Sequence, residues 1–135
     1  MDSGAAESVA PADIAPWIDA VESEGSRRGQ TYVSASGDRL PNLGEKKLRV
    51  TTEEGHRAVA TFQLADVTRP LCSISKVCDR GNTVTFHATG GYITSATGEQ
   101  TEFRRQNNVY VLDMYMKNPR NFENAGAPGF SRPSR

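Results

Sequence analysis

The sequence predicts a mainly β fold, a small closed or half-closed barrel with one or two short helices. Three observations support this prediction. From Gln30 to Met116 the chain repeatedly alternates apolar and polar residues, as half-buried strands do. Turn signals containing glycine, such as GG and TG, separate these segments. Apolar residues at helical spacing occur in two short segments, one before the β region and one inside it.

Length and composition set the broad class of protein. The chain has 135 residues, which suits one domain with one core. Its 16 basic and 16 acidic residues cancel, so charge favours neither a nucleic-acid nor a membrane partner. No apolar run approaches the ~18 residues of a membrane span, and no signal peptide is visible. Because the two cysteines do not form a secreted disulfide framework, we expect a cytoplasmic protein.

The first element is predicted to be a short helix. Ile14, Trp17, Ile18 and Val21 follow each other at spacings that place them on one helical face. Pro16 is tolerated only in a first turn, so the helix is expected to begin near Ala15. The polar stretch ESEGSRRGQ that follows predicts a loop.

Strands are predicted from Gln30 onward. TYVSAS indicates a short strand, and SGDRLPNLGE, with its two glycines and a proline, indicates a long turn or hairpin tip. KKLRVTT and RAVATFQLADV alternate in character and are joined by the short turn EEGH, which predicts a hairpin.

The second half of the chain begins with a predicted helix in LCSISKVCDRGN, ended by Gly81. Further strands are predicted in NTVTFHAT, GGYITSA, TEFRRQ and NNVYVLDMYM. We interpret NNVYVLDMYM as one strand with Tyr110, Leu112, Met114 and Met116 on a single face. Residues 1–116 are therefore predicted to form the β domain. Residues 117–135 are predicted to form a flexible polar tail, or an arm that packs on a partner.

One short motif near the start of the chain could carry chemistry. Aspartic proteolysis needs two carboxylates about 3 Å apart that share one proton. The residues after the aspartate must be small, so that two loops can approach and hydrogen-bond the pair. The segment Asp2-Ser3-Gly4-Ala5 meets this requirement, although a solvated turn would have the same composition. Because DSG occurs once, a dyad requires two copies of the chain.

Four motifs in order resemble the protease region of copia-type retroelement polyproteins. They are DSGA, the glycine-containing segment SGDRLPNLG, the stretch from Leu71 to Gly81, and the TG…R…YVLD stretch that ends at Asp113. The resemblance implies a retropepsin-like fold, a homodimer and cleavage of a peptide or polyprotein substrate, with no metal or other cofactor. It implies that Asp2 is catalytic and that Ser3, Gly4 and Ala5 support the catalytic loop. It also implies a substrate-binding flap between Ala35 and Gly44, with the residues Ser36, Gly37, Leu40, Leu43 and Gly44.

One departure from that family keeps other functions open. The family has a hydrophobic strand immediately before the aspartate, whereas here only Met1 precedes Asp2. The second hypothesis is therefore a catalytically degenerate β-barrel, a binding or assembly module that keeps the fold and the dimer but lacks an ordered dyad. A third is an unrelated small β protein in which DSGA is a coincidence.

Other chemistry has less support in the sequence. His56, His87, Cys72 and Cys78 are residue types that bind zinc, but neither CxxC nor HxxxH spacing is present. Cys72 or Cys78 could act as a nucleophile with His87, although small buried cysteines are the more ordinary interpretation. Arginines at positions 27, 28, 104 and 105 are expected to be solvated, because the chain has no net charge.

Overall fold

The computed structural model describes residue 1 and residues 6–34, 36–117 and 130–131. These residues form two short helices, α1 (Glu24–Arg27) and α2 (Ile74–Asp79). They also form eleven strands: β1 (Val9–Pro11), β2 (Thr31–Val33), β3 (Arg39–Pro41), β4 (Glu45–Thr52), β5 (Arg57–Ala65), β6 (Thr83–Phe86), β7 (Gly90–Thr94), β8 (Gln100–Gln106), β9 (Val109–Val111), β10 (Met114–Lys117) and β11 (Phe130–Ser131). The predicted class is confirmed: a mainly β, small barrel-like fold with two short helices.

The larger sheet holds the core and has the strand order β1-β5-β4-β10-β11. Its centre is the predicted hairpin, in which β4 and β5 pair antiparallel with Leu48 opposite Ala60. Because strand residues alternate between two faces, every second residue points inward. These inward residues are almost fully buried: Leu48, Val50, Phe62 and Leu64. Burying each such side chain contributes about 1.5–3 kcal/mol, so this face of the hairpin dominates the stability of the fold.

The smaller sheet has the order β6-β7-β8-β9, and its first three strands lie where the alternating pattern predicts them. Phe86, Phe103 and Tyr110 meet edge to face on it, with ring centroids 5.0–5.8 Å apart. The Tyr110 hydroxyl also donates to the carbonyl oxygen of His87 over 2.8 Å. These aromatic side chains therefore hold the sheet together by packing on one another.

Gly91 allows this aromatic cluster to form. It lies opposite Phe86 and Phe103, and the Phe103 ring leans over it. A Cβ at position 91 would collide with the carbonyl oxygen of Thr85 and lie 2.7 Å from Cζ of Phe103. Gly91→Ala is expected to lower the free energy of unfolding by about 1–3 kcal/mol, the usual cost of overpacking. Urea unfolding measures the change. A value within about 0.5 kcal/mol of the parent would contradict this account of the cluster.

The predicted first helix is wrong. Residues 12–18 form turns and bends, although Ile14 is buried and Trp17 and Ile18 pack on the core. Ala15 has φ 46°, a left-handed conformation that no α-helix contains, and it directly precedes Pro16. The apolar spacing was therefore produced by a turn that points Ile14, Trp17 and Ile18 inward, whereas Val21 is exposed. Buried Lys46 stabilises this turn, because its Nζ donates to the carbonyl oxygens of Ala12, Ile14 and Ala15.

The segment ESEGSRRGQ was predicted to be a loop, but it contains α1. Ser23 begins this helix with a capping box: its Oγ accepts from the Ser26 amide over 3.1 Å, and its amide donates to Ser26 Oγ over 2.9 Å. The loop prediction is wrong here. The two glycines favour a loop, but the serine pair satisfies two otherwise unpaired amides and so stabilises the start of a helix.

The second predicted helix is confirmed as α2. Ser73 caps its start and is fully buried, and its Oγ accepts from the Lys76 amide. Gly81 follows the helix with φ 87°, the left-handed conformation that ends helices at glycine.

NNVYVLDMYM was predicted to be one strand and is two. β9 is the edge of the smaller sheet, whereas β10 pairs with β4 in the larger sheet. Leu112 and Asp113 make the crossing between them. The buried carboxylate of Asp113 forms an ion pair with Arg104 of β8, which ties this crossing to the smaller sheet. The continuous alternation of the segment therefore contributes strands to two sheets, and a local pattern does not show that change.

The predicted tail lies mostly outside the described residues. Lys117 is the last residue of β10, and β11 pairs antiparallel with β10 through Lys117 and Phe130. Residues 118–129 and 132–135 lie outside the described part of the chain, so the flexibility of the tail stays a prediction.

Candidate functional site

Asp2, Ser3, Gly4 and Ala5 lie outside the described residues, but the residues around them are described. On one side, the main-chain nitrogen of Met1 donates to the carbonyl oxygen of Tyr110 in β9 over 2.9 Å. Met1 also lines a cavity of about 650 Å³ between β9 and residues 69–72. Met1, the residue before the motif, is therefore fixed to the edge strand of the smaller sheet.

On the other side of the motif, the chain is fixed along both of its edges. The Gln63 amide of β5 donates to the carbonyl oxygen of Ser8 over 2.9 Å. Val9 exchanges two main-chain hydrogen bonds with Leu71, of 2.9 and 2.7 Å. Ala10 is fully buried between these partners. Because β1 is short, these bonds on both edges fix the position of the chain at Ser8 and Val9.

Ser8 also connects β1 to α2. Its Oγ accepts from the amide of Ser73, the residue that caps the helix, over 2.9 Å. Cys72 lies beside this contact, and burial raises the pKa of its thiol. A buried thiol with a raised pKa is a poor nucleophile, since the thiolate is the reactive form. This argues against Cys72 as the nucleophile of the Cys–His alternative, whereas Cys78 is exposed and that half of the alternative stays a hypothesis.

The residues considered for zinc are spread over the fold. His56 lies in the β4–β5 turn, where its Nδ1 is 3.2 Å from Oγ1 of Thr101. His87 lies in the β6–β7 turn and packs on the ring of Tyr92. Within the described ranges, no group of three or more His, Cys, Asp or Glu side chains is close enough to hold a metal ion.

The proposed flap segment contains a two-stranded hairpin of β2 and β3. Ser36 and Gly37 lie at its exposed tip, where Gly37 has φ 86° and Ser36 Oγ donates to Asp38 Oδ2 over 3.0 Å. Leu40 lies in β3 and is half-buried. Leu43 and Gly44 are not at the tip but at the base, where the Leu43 amide donates to the carbonyl oxygen of Leu64 over 2.8 Å. Ala35 lies outside the described residues.

A polar network that the sequence did not reveal joins this hairpin to the segment after DSGA. The Tyr32 hydroxyl donates to Glu7 Oε2 over 2.9 Å. Nδ2 of buried Asn42 donates to the Tyr32 hydroxyl over 3.1 Å and to Gln63 Oε1 over 2.9 Å. Oδ1 of Asn42 accepts from the Gly44 amide over 2.8 Å. The only local signal was Asn42 two residues before Gly44, a pattern typical of an Asx turn.

Tyr32 gives this network a measurable dependence on pH. Burial, and secondly the neighbouring Glu7 carboxylate, raise the pKa of Tyr32 above its ordinary value near 10. The folded chain thus keeps the phenol protonated where the unfolded chain ionises it, so stability should fall as pH rises above about 10. Tyr32→Phe is expected to flatten that fall in urea unfolding between about pH 9 and pH 11. Tyr92→Phe is the control, and an equal flattening there would contradict the assignment.

A cleft of about 500 Å³ lies between β5, α2 and β7. Its lining includes the apolar side chains of Phe62, Val77, Ile93, Leu112 and Met114. β1 pairs with residues 63–65 of β5, so among the described residues the same edge of β5 has no strand partner from Arg57 to Thr61. One carbonyl on it, that of Val59, accepts from Arg80 Nη1 of the segment after α2 over 2.8 Å. Glu7 and Ser8 close one end of the cleft.

Comparisons of this chain with protein-family models, with curated proteins and with solved structures find no match. In the described part of the chain, no helix is long and apolar enough to cross a membrane.

Proposed function

We propose that this chain is a retropepsin-like aspartic endopeptidase domain that cleaves extended peptides with a dyad formed by Asp2 of two copies. The observation that carries the proposal is that the chain is hydrogen-bonded to the sheets both before and after DSGA, at Met1 and at Ser8 and Val9. Ser8 and Val9 are hydrogen-bonded to β5 and to Leu71, and Met1 is bonded to β9. A catalytic group must be held within about 0.5 Å, and neighbours fixed by main-chain bonds are the means of doing so.

The proposed peptide hydrolysis depends on the two Asp2 carboxylates lying side by side. Two like charges about 3 Å apart cannot both ionise, so the pair holds one shared proton. The ionised Asp2 takes a proton from a water molecule, which attacks the scissile carbonyl carbon. The protonated Asp2 of the other copy donates its proton to the carbonyl oxygen, which gives a tetrahedral diol. As the C–N bond breaks, the first Asp2 passes the proton it took from water to the leaving amine, and the second Asp2 recovers a proton from a diol hydroxyl. Ser3 and Gly4 have the small size that lets the two loops approach.

The unpaired hairpin of β2 and β3 is an argument for an extended peptide substrate. It pairs with no other strand among the described residues, and Arg39 and Val33 are exposed on it. Through Tyr32 it is connected to Glu7, five positions after Asp2. A two-stranded hairpin that pairs with no other strand among the described residues can cover a bound peptide and exclude water.

A non-catalytic binding or assembly module is the second candidate. The cleft beside β5 favours it, because an unpaired strand edge next to an apolar floor can accept an extended segment by main-chain hydrogen bonds. This function needs no ordered carboxylate pair.

Cleavage measured against protein concentration tests the first proposal. A mixed peptide library is incubated at about pH 5, where a dyad with one shared proton is active, over a wide range of chain concentrations. The rate per chain is expected to rise with concentration and to level off as sedimentation shows the dimer form. A chain that stays monomeric throughout and cleaves nothing would remove the protease and leave the binding module.

A further inference from the structure

We propose that Glu7, Tyr32, Asn42 and Gln63 form a latch that holds the β2–β3 hairpin against Glu7, just before β1, and against β5. The role in substrate binding rests on the proposed function, whereas the latch itself does not. Tyr32 and Asn42 are positioning residues in this proposal, since they act through the hairpin.

The hairpin depends on side chains to stay in place. β2 and β3 pair with each other, and their small sheet is separate from both larger ones among the described strands. An isolated two-stranded hairpin is marginally stable in water. Its main-chain attachment lies at its base. There the Leu43 amide donates to the carbonyl oxygen of Leu64, and the Leu64 amide donates to the carbonyl oxygen of Gly44. Gly44 has φ 118°, which only glycine adopts readily, and it is buried, so the base is held firmly while the rest of the hairpin extends from it.

The latch connects the base of the hairpin with the segment that precedes β1. The Tyr32 hydroxyl makes this connection directly, because it donates to Glu7 Oε2 and accepts from Asn42 Nδ2. Asn42 is buried. Its Nδ2 also donates to Gln63 Oε1, and its Oδ1 accepts from the Gly44 amide. A hydrogen bond to a carboxylate is stronger than one between neutral groups. Losing the hydroxyl therefore removes the charged contact and leaves the hairpin attached by its base.

Hydrogen exchange of the hairpin tests the latch without any need for catalysis. Tyr32→Phe is expected to raise the exchange rate of a peptide covering β2 and β3 by about tenfold or more, with β4 and β5 unchanged. Tyr92→Phe is the matched control, since the Tyr92 hydroxyl has no hydrogen-bond partner in the described part of the chain. Equal exchange in the two variants would overturn the latch.

A double-mutant cycle separates the latch from a general loss of stability. Glu7→Ala should reproduce the effect of Tyr32→Phe, and combining the two should add little, because both remove one contact. Additive effects would overturn the pairing.

Steady-state cleavage then tests the positioning role. Tyr32→Phe should raise KM about tenfold while kcat stays within about twofold of the parent, because the hairpin holds substrate and Asp2 does the chemistry. An unchanged KM with faster hairpin exchange would overturn the role in substrate binding. If the parent cleaves no peptide, the proposed protease fails, and the exchange measurements alone decide whether the latch exists.

Discussion

Asp2→Asn is expected to slow peptide cleavage by about 1,000-fold or more. In a dimer the substitution removes both carboxylates, so neither the base that activates water nor the acid that protonates the carbonyl oxygen remains. Asparagine has nearly the same shape, so the dimer and the fold should persist, and sedimentation and urea unfolding check that they do. Asp66→Asn is the control, because Asp66 is exposed and has no DSG context. Equal loss in both variants would contradict a specific role for Asp2.

Mixing the parent with Asp2→Asn tests the two-chain dyad directly. If subunits exchange, excess variant should draw parent chains into mixed dimers that carry one carboxylate each and are inactive. Activity should then fall roughly as the fraction of parent–parent dimers falls. Activity that depends only on the amount of parent chain would show that one copy suffices, and a dyad shared between copies would be wrong.

The elements that could be predicted are those whose signal is local. Strict alternation gave β4 and β5, since a period of two requires only neighbouring residues. Gly81 correctly marked the end of α2, because its left-handed backbone is a property of one residue. The segment around Ala15 failed because apolar spacing does not distinguish a helix from a turn that buries the same side chains. The long strand predicted in NNVYVLDMYM failed because its break coincides with the ion pair between Asp113 and Arg104, which the local pattern does not contain.

In the candidate site, too, the local motifs could be predicted and the long-range contacts could not. DSGA is a local motif and could be found, although its residues lie outside the described part of the chain. The glycines and proline of the flap segment predicted a hairpin, and β2 and β3 form one. The Tyr32 network could not be found, because its contacts join residues 10 to 25 positions apart through side chains alone. No periodicity accompanies such contacts, so they become visible only when the fold is known.

Lys46→Met is expected to lower the free energy of unfolding by about 2–4 kcal/mol. Lys46 is 5 % exposed and lies on the inward face of β4 beside Leu48, a place where lysine is rare. Its ammonium donates to the carbonyl oxygens of Ala12, Ile14 and Ala15, at 3.1, 2.8 and 3.4 Å. Methionine fills much of the same volume, so the loss comes from leaving these acceptors without a donor rather than from a cavity.

Lys47→Met is the matched control, because Lys47 is the next residue of β4 and points to solvent. It should change the stability by no more than about 0.5 kcal/mol. The Lys46 variant should also increase hydrogen exchange in residues 12–18 more than elsewhere, since the left-handed Ala15 is held by these bonds. A stability equal to that of the control would mean that the turn is maintained by the packing of Ile14 and Trp17 alone. The buried ammonium would then be tolerated by the fold without stabilising it.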